Sequence, residues 1–377
     1  MNKLKIIGVM EGLVSAKRKV SGTKGFLYYH LNQSGVIEDI VDIKVNYFLD
    51  KINMAMNFSL NKNIWLFKVM VDVKRKKLKS LAAKKKLEQK TSRVFNSILQ
   101  IGSTFNLNNI KELYNVPKFS YHDNNLIAYL HTTDKIVQSK RIEQAIQYEH
   151  NVYNNLDAIF TMTEYLKKSF VNDFNIDNKK VFNIGFGSNI DSTHDFPKFY
   201  DCKSILFIAK DSFKEKGGYD LLKAFDIVSK EIENSKLYIV GQIIKCKNSG
   251  VVNIPFLDKN TKYGYNKLIQ LYQKSSLFVM PSYVDATGNV FLEAMSYKLP
   301  CIGANVSAMP EIIVDNNCGE VVEPGDVCGL ADKIIKFLKN RELLEYYGNN
   351  GLYAVRSKFN WDNVCKNFIN IAERYIC

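Results

Sequence analysis

The sequence predicts an α/β protein made of two domains, each with a parallel sheet, and three observations support this fold class. The chain has 377 residues, and one domain usually takes about 100–200. Apolar residues make up 46% and charged residues 24% of the chain, which excludes a mainly disordered protein. Short apolar runs alternate with amphipathic segments, and this alternation favours a parallel sheet over a sandwich or a helical bundle.

The first half of the chain contains several apolar runs of strand length. A helix is predicted at residues 26–32, opened by the glycine-containing segment 22–25, and residues 74–90 form a basic helical stretch. The aromatic and methionine-rich residues 49–70 yield no element prediction. Strands are predicted at residues 4–9, 36–45, 116–121, 158–162 and 181–185.

The second half restarts the alternation after a polar, irregular linker at residues 188–203. In the predicted helix 219–232, the apolar residues Leu221, Phe225 and Val228 recur on one face. Further helices are predicted at 290–297, 330–338 and 361–376, and strands at 204–209, 237–240, 277–280, 301–302 and 319–322. Two successive units of this kind place ligands at the carboxyl ends of their strands, so we expect two Rossmann-like domains that face each other across a cleft.

The positive charge is concentrated in the first half. The net charge is +14; residues 1–194 hold 29 Lys/Arg against 17 Asp/Glu, and residues 195–377 hold 23 against 21. Within residues 51–100 the balance is 13 basic to 2 acidic side chains. This asymmetry indicates an anionic partner for the first half, such as a membrane surface, a nucleic acid or an acidic substrate.

The sequence also predicts where the protein works. Its apolar runs are too short for a transmembrane helix or a secretory signal. The 7 cysteines are scattered, and none are spaced Cys-x-x-Cys. We therefore expect a cytoplasmic protein with reduced thiols, no disulfide framework and no zinc site.

A first chemical signal lies at residues 281–295, which read as a strand end, a turn and a helix start. Backbone N–H groups of Gly288, Asn289 and Val290 would point out of the helix start and suit a phosphate. Asp285 and Glu293 flank this segment as two carboxylates, and carboxylates accept hydrogen bonds from sugar hydroxyls.

A second signal lies at residues 209–218, where Lys210 ends a strand and Lys216 precedes two glycines. Two cations on one strand-to-helix loop could neutralise a departing diphosphate, and such electrostatic stabilisation is often a large catalytic contribution. Loop lysines are also commonly just solvated, but the two signals in this order favour a functional site.

With these segments, most of residues 203–340 resembles the donor-binding domain of GT4-type retaining glycosyltransferases of the GT-B fold. The resemblance is carried by residues 207–210 with 215–218, 237–241, 285–295, 309–313 and 319–326. It implies an N-terminal acceptor-side domain at 1–194, a nucleotide-sugar donor domain at 195–357, and a C-terminal helix at 358–377 that crosses back to the first domain.

The resemblance also implies roles for individual residues. Lys210 and Lys216 would contact the donor diphosphate, Asp285 would face the donor sugar, and Glu293 would bind the ribose. The backbone amides from Thr287 to Val290 would hold a phosphate. The family commonly has Arg where Lys210 stands and Glu where Asp285 stands. Lys210 keeps the charge but lacks the bidentate guanidinium fork, and Asp285 keeps the carboxylate on a side chain one methylene shorter.

The first half resembles the family less. Gly22 and Thr23 lie where the family has a glycine-rich loop near the donor phosphates. His122 ends the strand predicted at 116–121, and a strand-end histidine that points into the cleft could bind a donor hydroxyl or stabilise developing charge. A lone histidine is also often structural. No cluster has metal-ligand spacing, and we expect no essential metal or cofactor.

The lysines of residues 74–90 are interleaved with leucines, which suits an anionic membrane surface on the inner face of the plasma membrane. A merely solvated helix is the alternative. Nucleic-acid binding is not expected, because the chain has no recognisable nucleic-acid module.

We therefore expect a retaining transferase that moves a sugar from a nucleotide-diphospho-sugar to a hydroxyl acceptor. The acceptor would be a glycan or a lipid-linked glycan for cell-surface polysaccharide. The alternatives are another GT-B enzyme, such as a nucleotide-sugar epimerase or a phosphorylase, or a non-catalytic protein that binds nucleotide-sugars.

Overall fold

The structure is a computed structural model that describes residues 3–12, 23–90, 95–108, 110–132, 139–190, 196–210 and 212–376. Within these residues the strands form two parallel sheets of six strands each. This agrees with the predicted α/β fold class.

The first sheet has the strand order β2-β1-β3-β4-β5-β6. Its strands are β1 (Ile6–Glu11), β2 (Ile37–Ile43), β3 (Ser97–Ile101), β4 (Lys118–His122), β5 (Ala158–Thr161) and β6 (Val181–Asn183). The helices between them are α1 (Thr23–Gln33), α2 (Tyr47–Met56), α3 (Lys62–Met70), α4 (Val73–Glu88), α5 (Leu126–His131), α6 (Lys140–Asn154) and α7 (Glu164–Asn172).

The second sheet has the order β9-β8-β7-β10-β11-β12. Its strands are β7 (Ser204–Ile208), β8 (Lys236–Gly241), β9 (Val251–Pro255), β10 (Leu277–Val279), β11 (Cys301–Ala304) and β12 (Gly319–Val322). The helices are α8 (Gly218–Glu231), α9 (Lys262–Lys274), α10 (Asn289–Met295), α11 (Met309–Ile313), α12 (Val327–Lys339), α13 (Arg341–Ser357) and α14 (Trp361–Ala372).

The chain divides into two compact units. The N-terminal unit comprises the described residues of 3–12, 24–184 and 364–376, and the C-terminal unit comprises Thr23 and the described residues of 185–363. Within the N-terminal unit, Phe368 lies with its ring 4.7 Å from that of Phe160 and 6.0 Å from that of Phe119. The last residues of the chain thus pack on strands β4 and β5.

Several elements were not predicted, and β3 illustrates one physical reason. In β3 all five residues are buried, but Ser97 and Gln100 interrupt the apolar run. Gln100 is accommodated because its amide donates to the Gly102 carbonyl at 2.8 Å. Helix α1 begins at Thr23, earlier than the predicted helix at 26–32. The other elements missing from the prediction are β9, α2, α3, α5, α6, α7, α9, α11 and α13.

None of the helices in the described ranges is both long enough and apolar enough to cross a membrane.

Candidate functional site

The predicted site residues of the C-terminal unit lie at the topological switch point of its sheet. The strand order reverses at β7, which pairs with β8 on one side and with β10 on the other. Because the strands are parallel, the loops after β7 and β10 leave the same edge of the sheet. Open α/β sheets bind their ligands in the crevice at this position.

The two loops touch each other through backbone atoms. Gly217 has φ 72°, and a Cβ atom built there would lie 2.0 Å from the Pro281 carbonyl oxygen. The backbone N–H of Tyr283 donates to the Glu215 carbonyl at 2.8 Å. Only glycine permits this approach, and the approach fixes Lys216 beside the loop that carries Asp285.

Lys216 and Asp285 form an ion pair between these loops. The Lys216 ammonium donates to Asp285 Oδ2 at 2.6 Å and to the Val284 carbonyl at 3.3 Å. The other oxygen, Asp285 Oδ1, accepts the backbone N–H of Gly288 at 3.0 Å. One carboxylate therefore joins the lysine of the first loop to the start of α10.

This arrangement corrects one part of the sequence analysis. The Gly288 N–H was expected to be free for a phosphate, but Asp285 accepts it. Gly288 has φ 58° and precedes α10, whose first two residues are Asn289 and Val290. Thr287 is buried, and its hydroxyl accepts the Asn289 side-chain amide at 3.4 Å.

Glu293 is a buried carboxylate on α10 with two partners. Lys259 donates to both carboxylate oxygens, and the Tyr272 hydroxyl donates to Oε2 at 2.9 Å. The pKa of Tyr272 is raised well above its ordinary value, mainly by burial and also by the adjacent Glu293 carboxylate. The hydroxyl therefore keeps its proton and remains a donor. The sequence analysis missed both partners, since neither β9 nor α9, which flank Lys259, was predicted.

Lys210 takes a different position from Lys216. Its side chain is exposed, and its ammonium lies 4.7 Å from the centre of the Phe256 ring. Phe256 and Lys259 belong to the same loop, between β9 and α9. The structure thus places Lys210 against the β9–α9 loop and Lys216 against the β10–α10 loop. Glu293 is linked to both loops, because Lys259 of the first loop donates to it and because it lies on α10, which follows the second loop.

The predicted residues of the N-terminal unit are placed differently from the expectation. His122 does end strand β4, but it has no exposed surface. Its Nε2 shares a hydrogen bond with Ser120 Oγ at 2.8 Å, and its ring lies against those of Tyr153 and Phe170 at 5.5 and 5.0 Å. An imidazole enclosed by aromatic rings differs from the predicted cleft-facing residue.

The glycine-rich segment is described only in part. Gly22 lies outside the residues that the structure describes, and Thr23 is the first residue of α1.

The basic segment 74–90 is helical, as predicted, but it does not offer a continuous lysine face. Lys76 and Lys79 are only 6% and 5% exposed. Lys76 donates to Glu149 at 3.0 Å, Lys79 donates to Glu11 at 2.6 Å, and Lys86 donates to the Asp42 carbonyl at 2.5 Å. These three lysines make contacts inside the unit, whereas Lys74, Lys77 and Lys85 of the same helix are exposed. The membrane role of this segment stays a prediction.

Among the described residues, no three His, Cys, Asp or Glu side chains are arranged to hold a metal ion.

Comparison with known proteins gives the family of the C-terminal region. Residues 189–352 match the family model described as glycosyl transferases group 1. A curated relative, the capsular polysaccharide biosynthesis glycosyltransferase CapM of Staphylococcus aureus, is 28% identical over 219 residues, which cover 53% of this chain and 57% of CapM. The chain thus spans less than two thirds of the length of this relative.

Solved structures extend the likeness to the whole fold. Sucrose-phosphate synthase from Thermosynechococcus elongatus matches 98% of both chains with a TM-score of 0.69 at 13% identity. HepE from Anabaena, solved in complex with UDP and glucose, matches 98% of this chain and 99% of its own with a TM-score of 0.63 at 11% identity. The fold is GT-B, and within it residues 189–352 are similar to the glycosyl transferases group 1 family.

Proposed function

We propose that this protein is a retaining glycosyltransferase that transfers a sugar from a nucleotide-diphospho-sugar to a hydroxyl group. The observation that carries the proposal is the Lys216–Asp285–Gly288 connection at the switch point of the sheet, with the buried Glu293 on the helix that follows. The family match supports a glycosyl transfer reaction. The geometry supports the roles that we assign to the charged side chains Lys216, Asp285 and Glu293.

Lys216 is the group we assign to the donor diphosphate. Its ammonium is held by one carboxylate and one carbonyl oxygen, and it is partly exposed, so a phosphate oxygen can join its coordination. In the reaction the bond between the anomeric carbon and the phosphate oxygen breaks, and negative charge grows on the diphosphate. A preorganised ammonium stabilises that charge. Lys210, on the same β7–α8 loop, would supply the second positive charge.

Glu293 is the group we assign to the ribose of the donor. A carboxylate with two oxygens matches two neighbouring hydroxyls, and hydrogen bonds from Lys259 and Tyr272 hold it in a fixed orientation. Asp285, joined to Gly288, would face the transferred sugar.

For the chemical step we propose attack of the acceptor oxygen on the same face from which the diphosphate leaves, which retains the anomeric configuration. The departing phosphate oxygen would take the acceptor proton. No carboxylate is assigned as a nucleophile, so no covalent glycosyl-enzyme is part of the proposal. We also propose that the lysines supply the positive charge of the reaction without an essential metal.

The acceptor we propose is a glycan or a lipid-linked glycan of a cell-surface polysaccharide, reached from the cytoplasm. The support is the likeness to CapM, whose name places it in capsular polysaccharide biosynthesis.

The proposal is tested by a thermal-shift screen of nucleoside diphosphates and nucleotide-sugars. A bound ligand raises the melting temperature by mass action, so the base is identified without knowledge of the acceptor. We expect at least one nucleoside diphosphate and its sugar conjugate to stabilise the protein. If no member of a complete panel does so, the donor assignment is wrong.

A second measurement separates transfer from the alternatives. With the stabilising nucleotide-sugar, a transferase releases nucleoside diphosphate in proportion to added acceptor. An epimerase converts the sugar without releasing the diphosphate, and a binding protein does neither. We expect acceptor-dependent release, and sugar conversion without release would contradict the proposal.

A further inference from the structure

The most unusual surface of the N-terminal unit is the α2–α3 segment, residues 47–70. It exposes ten large apolar side chains in 24 consecutive positions: Tyr47, Phe48, Leu49, Ile52, Met56, Phe58, Leu60, Ile64, Leu66 and Met70. Leu60, in the connecting loop, is 97% exposed and Phe48 is 73% exposed. Soluble proteins rarely expose so many neighbouring apolar groups unless the surface binds something.

The amphipathic character of α2 is inverted, which explains why its apolar side chains point outward. Asp50, Asn53 and Asn57 recur at helical spacing on the inner side of α2. Asp50 accepts from Arg75 at 2.8 Å, whereas Asn53 and Asn57 donate to Asp72 Oδ2 at 3.2 and 2.6 Å. Polar contacts therefore attach α2 to α4, and the helix keeps its apolar side for another partner.

Helix α3 is attached by different contacts. Phe67 stacks on Tyr129 with the ring centres 6.4 Å apart, and Val69 is buried. The Trp65 indole donates to the Met54 carbonyl of α2 at 2.9 Å. Lys62, Leu66 and Met70, four residues apart, remain exposed or partly exposed. Both helices are thus held firmly while their apolar side chains stay accessible.

The charge of the segment indicates which partner it fits. Residues 47–70 contain Lys51, Lys62 and Lys68 against a single acidic residue, Asp50, and that residue is paired with Arg75. The first 194 residues carry a net excess of basic side chains, 29 against 17. Apolar side chains accompanied by lysines match a lipid bilayer with anionic headgroups, where the apolar groups enter the interface and the lysines meet the phosphates.

We propose that the α2–α3 segment docks this protein on an anionic membrane surface. The inserted groups are the exposed aromatic and aliphatic side chains around Phe48 and Leu60, and the lysines of the segment supply the electrostatic attraction. The proposal assigns to the membrane a surface formed by residues 47–70 instead of the basic helix α4, and it does not depend on the proposed glycosyl transfer.

Vesicle co-sedimentation of the full chain tests the proposal. The vesicles are phosphatidylcholine alone or phosphatidylcholine with phosphatidylglycerol, each at low and high salt. We expect binding to the mixed vesicles at low salt, weakened by salt because exposed charges are screened. Tryptophan fluorescence should shift to shorter wavelength when Trp65 enters the lipid interface. The shift can be assigned to Trp65, because the other tryptophan, Trp361, is already buried. Absence of sedimentation with mixed vesicles at low salt overturns the proposal.

Three variants locate the surface. Phe48→Ser with Leu60→Ser and Leu66→Ser should reduce partition by about tenfold or more, since three inserted apolar groups are lost. Lys51→Glu with Lys62→Glu should reduce binding to mixed vesicles by about tenfold. The matched control, Ile243→Ser with Tyr353→Ser, removes exposed apolar groups of the C-terminal unit and should leave binding unchanged.

Two outcomes would assign the surface elsewhere. If Lys77→Glu with Lys85→Glu on α4 abolishes binding while the Ser variant retains it, the basic helix is the docking element and the proposal is wrong. If the wild type is a dimer in sedimentation velocity, becomes a monomer in the Ser variant and binds no vesicles, the segment is a contact between two copies and the proposal is also wrong. Circular dichroism melting of each variant excludes unfolding as the cause.

Discussion

Gly217 shows how one residue determines the geometry of the candidate site. Two separate features require glycine at position 217: the positive φ and the close contact with the Pro281 carbonyl. At Gly102 only the positive φ requires glycine. Gly102 has φ 73°, with nothing within 4 Å of its Cβ position, whereas Gly217 has φ 72° and a carbonyl oxygen 2.0 Å away. The two glycines thus form a matched pair.

We predict that Gly217→Ala destabilises the protein more than Gly102→Ala does. Gly102→Ala should cost about 1–2 kcal/mol, the ordinary penalty of a left-handed alanine. Gly217→Ala should cost more, because the loop against Pro281 must also move. Urea denaturation measures both free energies of unfolding, and equal losses would contradict the close approach.

Glu293 is the residue on which donor recognition is proposed to depend. Glu293→Gln keeps the side-chain volume but removes the charge, so charge-assisted hydrogen bonds to the donor hydroxyls are lost. At about 1.5–3 kcal/mol for such bonds, we expect the Kd for the nucleoside diphosphate to rise at least about tenfold. Calorimetric titration measures this change.

The control for this prediction is Glu320→Gln. Glu320 is another carboxylate of the C-terminal unit held by lysines, Lys333 and Lys336. Its neutralisation should leave the Kd unchanged. An unaltered Kd in the Glu293→Gln variant would remove Glu293 from the donor site.

At the scale of elements, helix α4 contains two kinds of lysine. Lys76 is buried and pairs with Glu149, which also accepts hydrogen bonds from Ser103 and Tyr153. Lys85 is exposed. A hydrophilic sequence segment of this kind is easily interpreted as one solvated face, although part of it holds the unit together.

We predict that Lys76→Met lowers the free energy of unfolding by about 3 kcal/mol, since removal of one partner leaves the other charge buried. Lys85→Met on the same helix should change it by no more than about 0.5 kcal/mol. Chemical denaturation of both variants measures this difference, and a loss for Lys76→Met as small as that for Lys85→Met would contradict the buried Lys76–Glu149 pair.

Asp72 links helix α4 to helix α2 and makes this link sensitive to pH. Burial alone would raise its pKa, but hydrogen bonds from Asn57, Asn53 and the backbone of α4 outweigh burial and lower it. A carboxylate with a lowered pKa stabilises the folded state above its unfolded pKa. That contribution is lost as the pH falls through the folded value.

Asp72→Asn should therefore destabilise the protein at about pH 7, and the difference from wild type should shrink below about pH 4. Denaturation at several pH values measures this trend. The control is Asp201→Asn, at an exposed ion pair with Arg341, which should change the stability at about pH 7 far less because exposed ion pairs contribute little. A difference for Asp72→Asn that is constant with pH would contradict the lowered pKa.

The elements that the sequence could predict are those with simple burial patterns. Strands β7, β8 and β10 each contain an unbroken apolar run, at residues 205–208, 237–240 and 277–279. Their loops, with Lys216, Asp285 and Glu293, could therefore be placed in order. Helix α2 could not be predicted from its amphipathicity, because its polar side faces inward. Lys259 could not be identified either, since its contact with Glu293 spans 34 residues of sequence.

At the scale of the whole molecule, the two units differ in the surfaces they present. The N-terminal unit has the basic excess and the exposed apolar segment, whereas the C-terminal unit has the family match and the switch-point charges. The sequence revealed the charge asymmetry. Only the structure showed that buried contacts occupy lysines of α4 and that the enclosed His122 differs from a cleft-facing residue.

The most direct test of the account is the affinity of the Lys216→Met variant for the nucleoside diphosphate that stabilises the wild type. Loss of the ammonium that we propose binds the diphosphate should raise the Kd by about 10–100-fold in calorimetry. Lys336→Met, which removes an exposed lysine of the same unit, should bind as the wild type does. If Lys216→Met binds the nucleotide with wild-type affinity, the switch-point site does not hold the donor and the central claim is wrong.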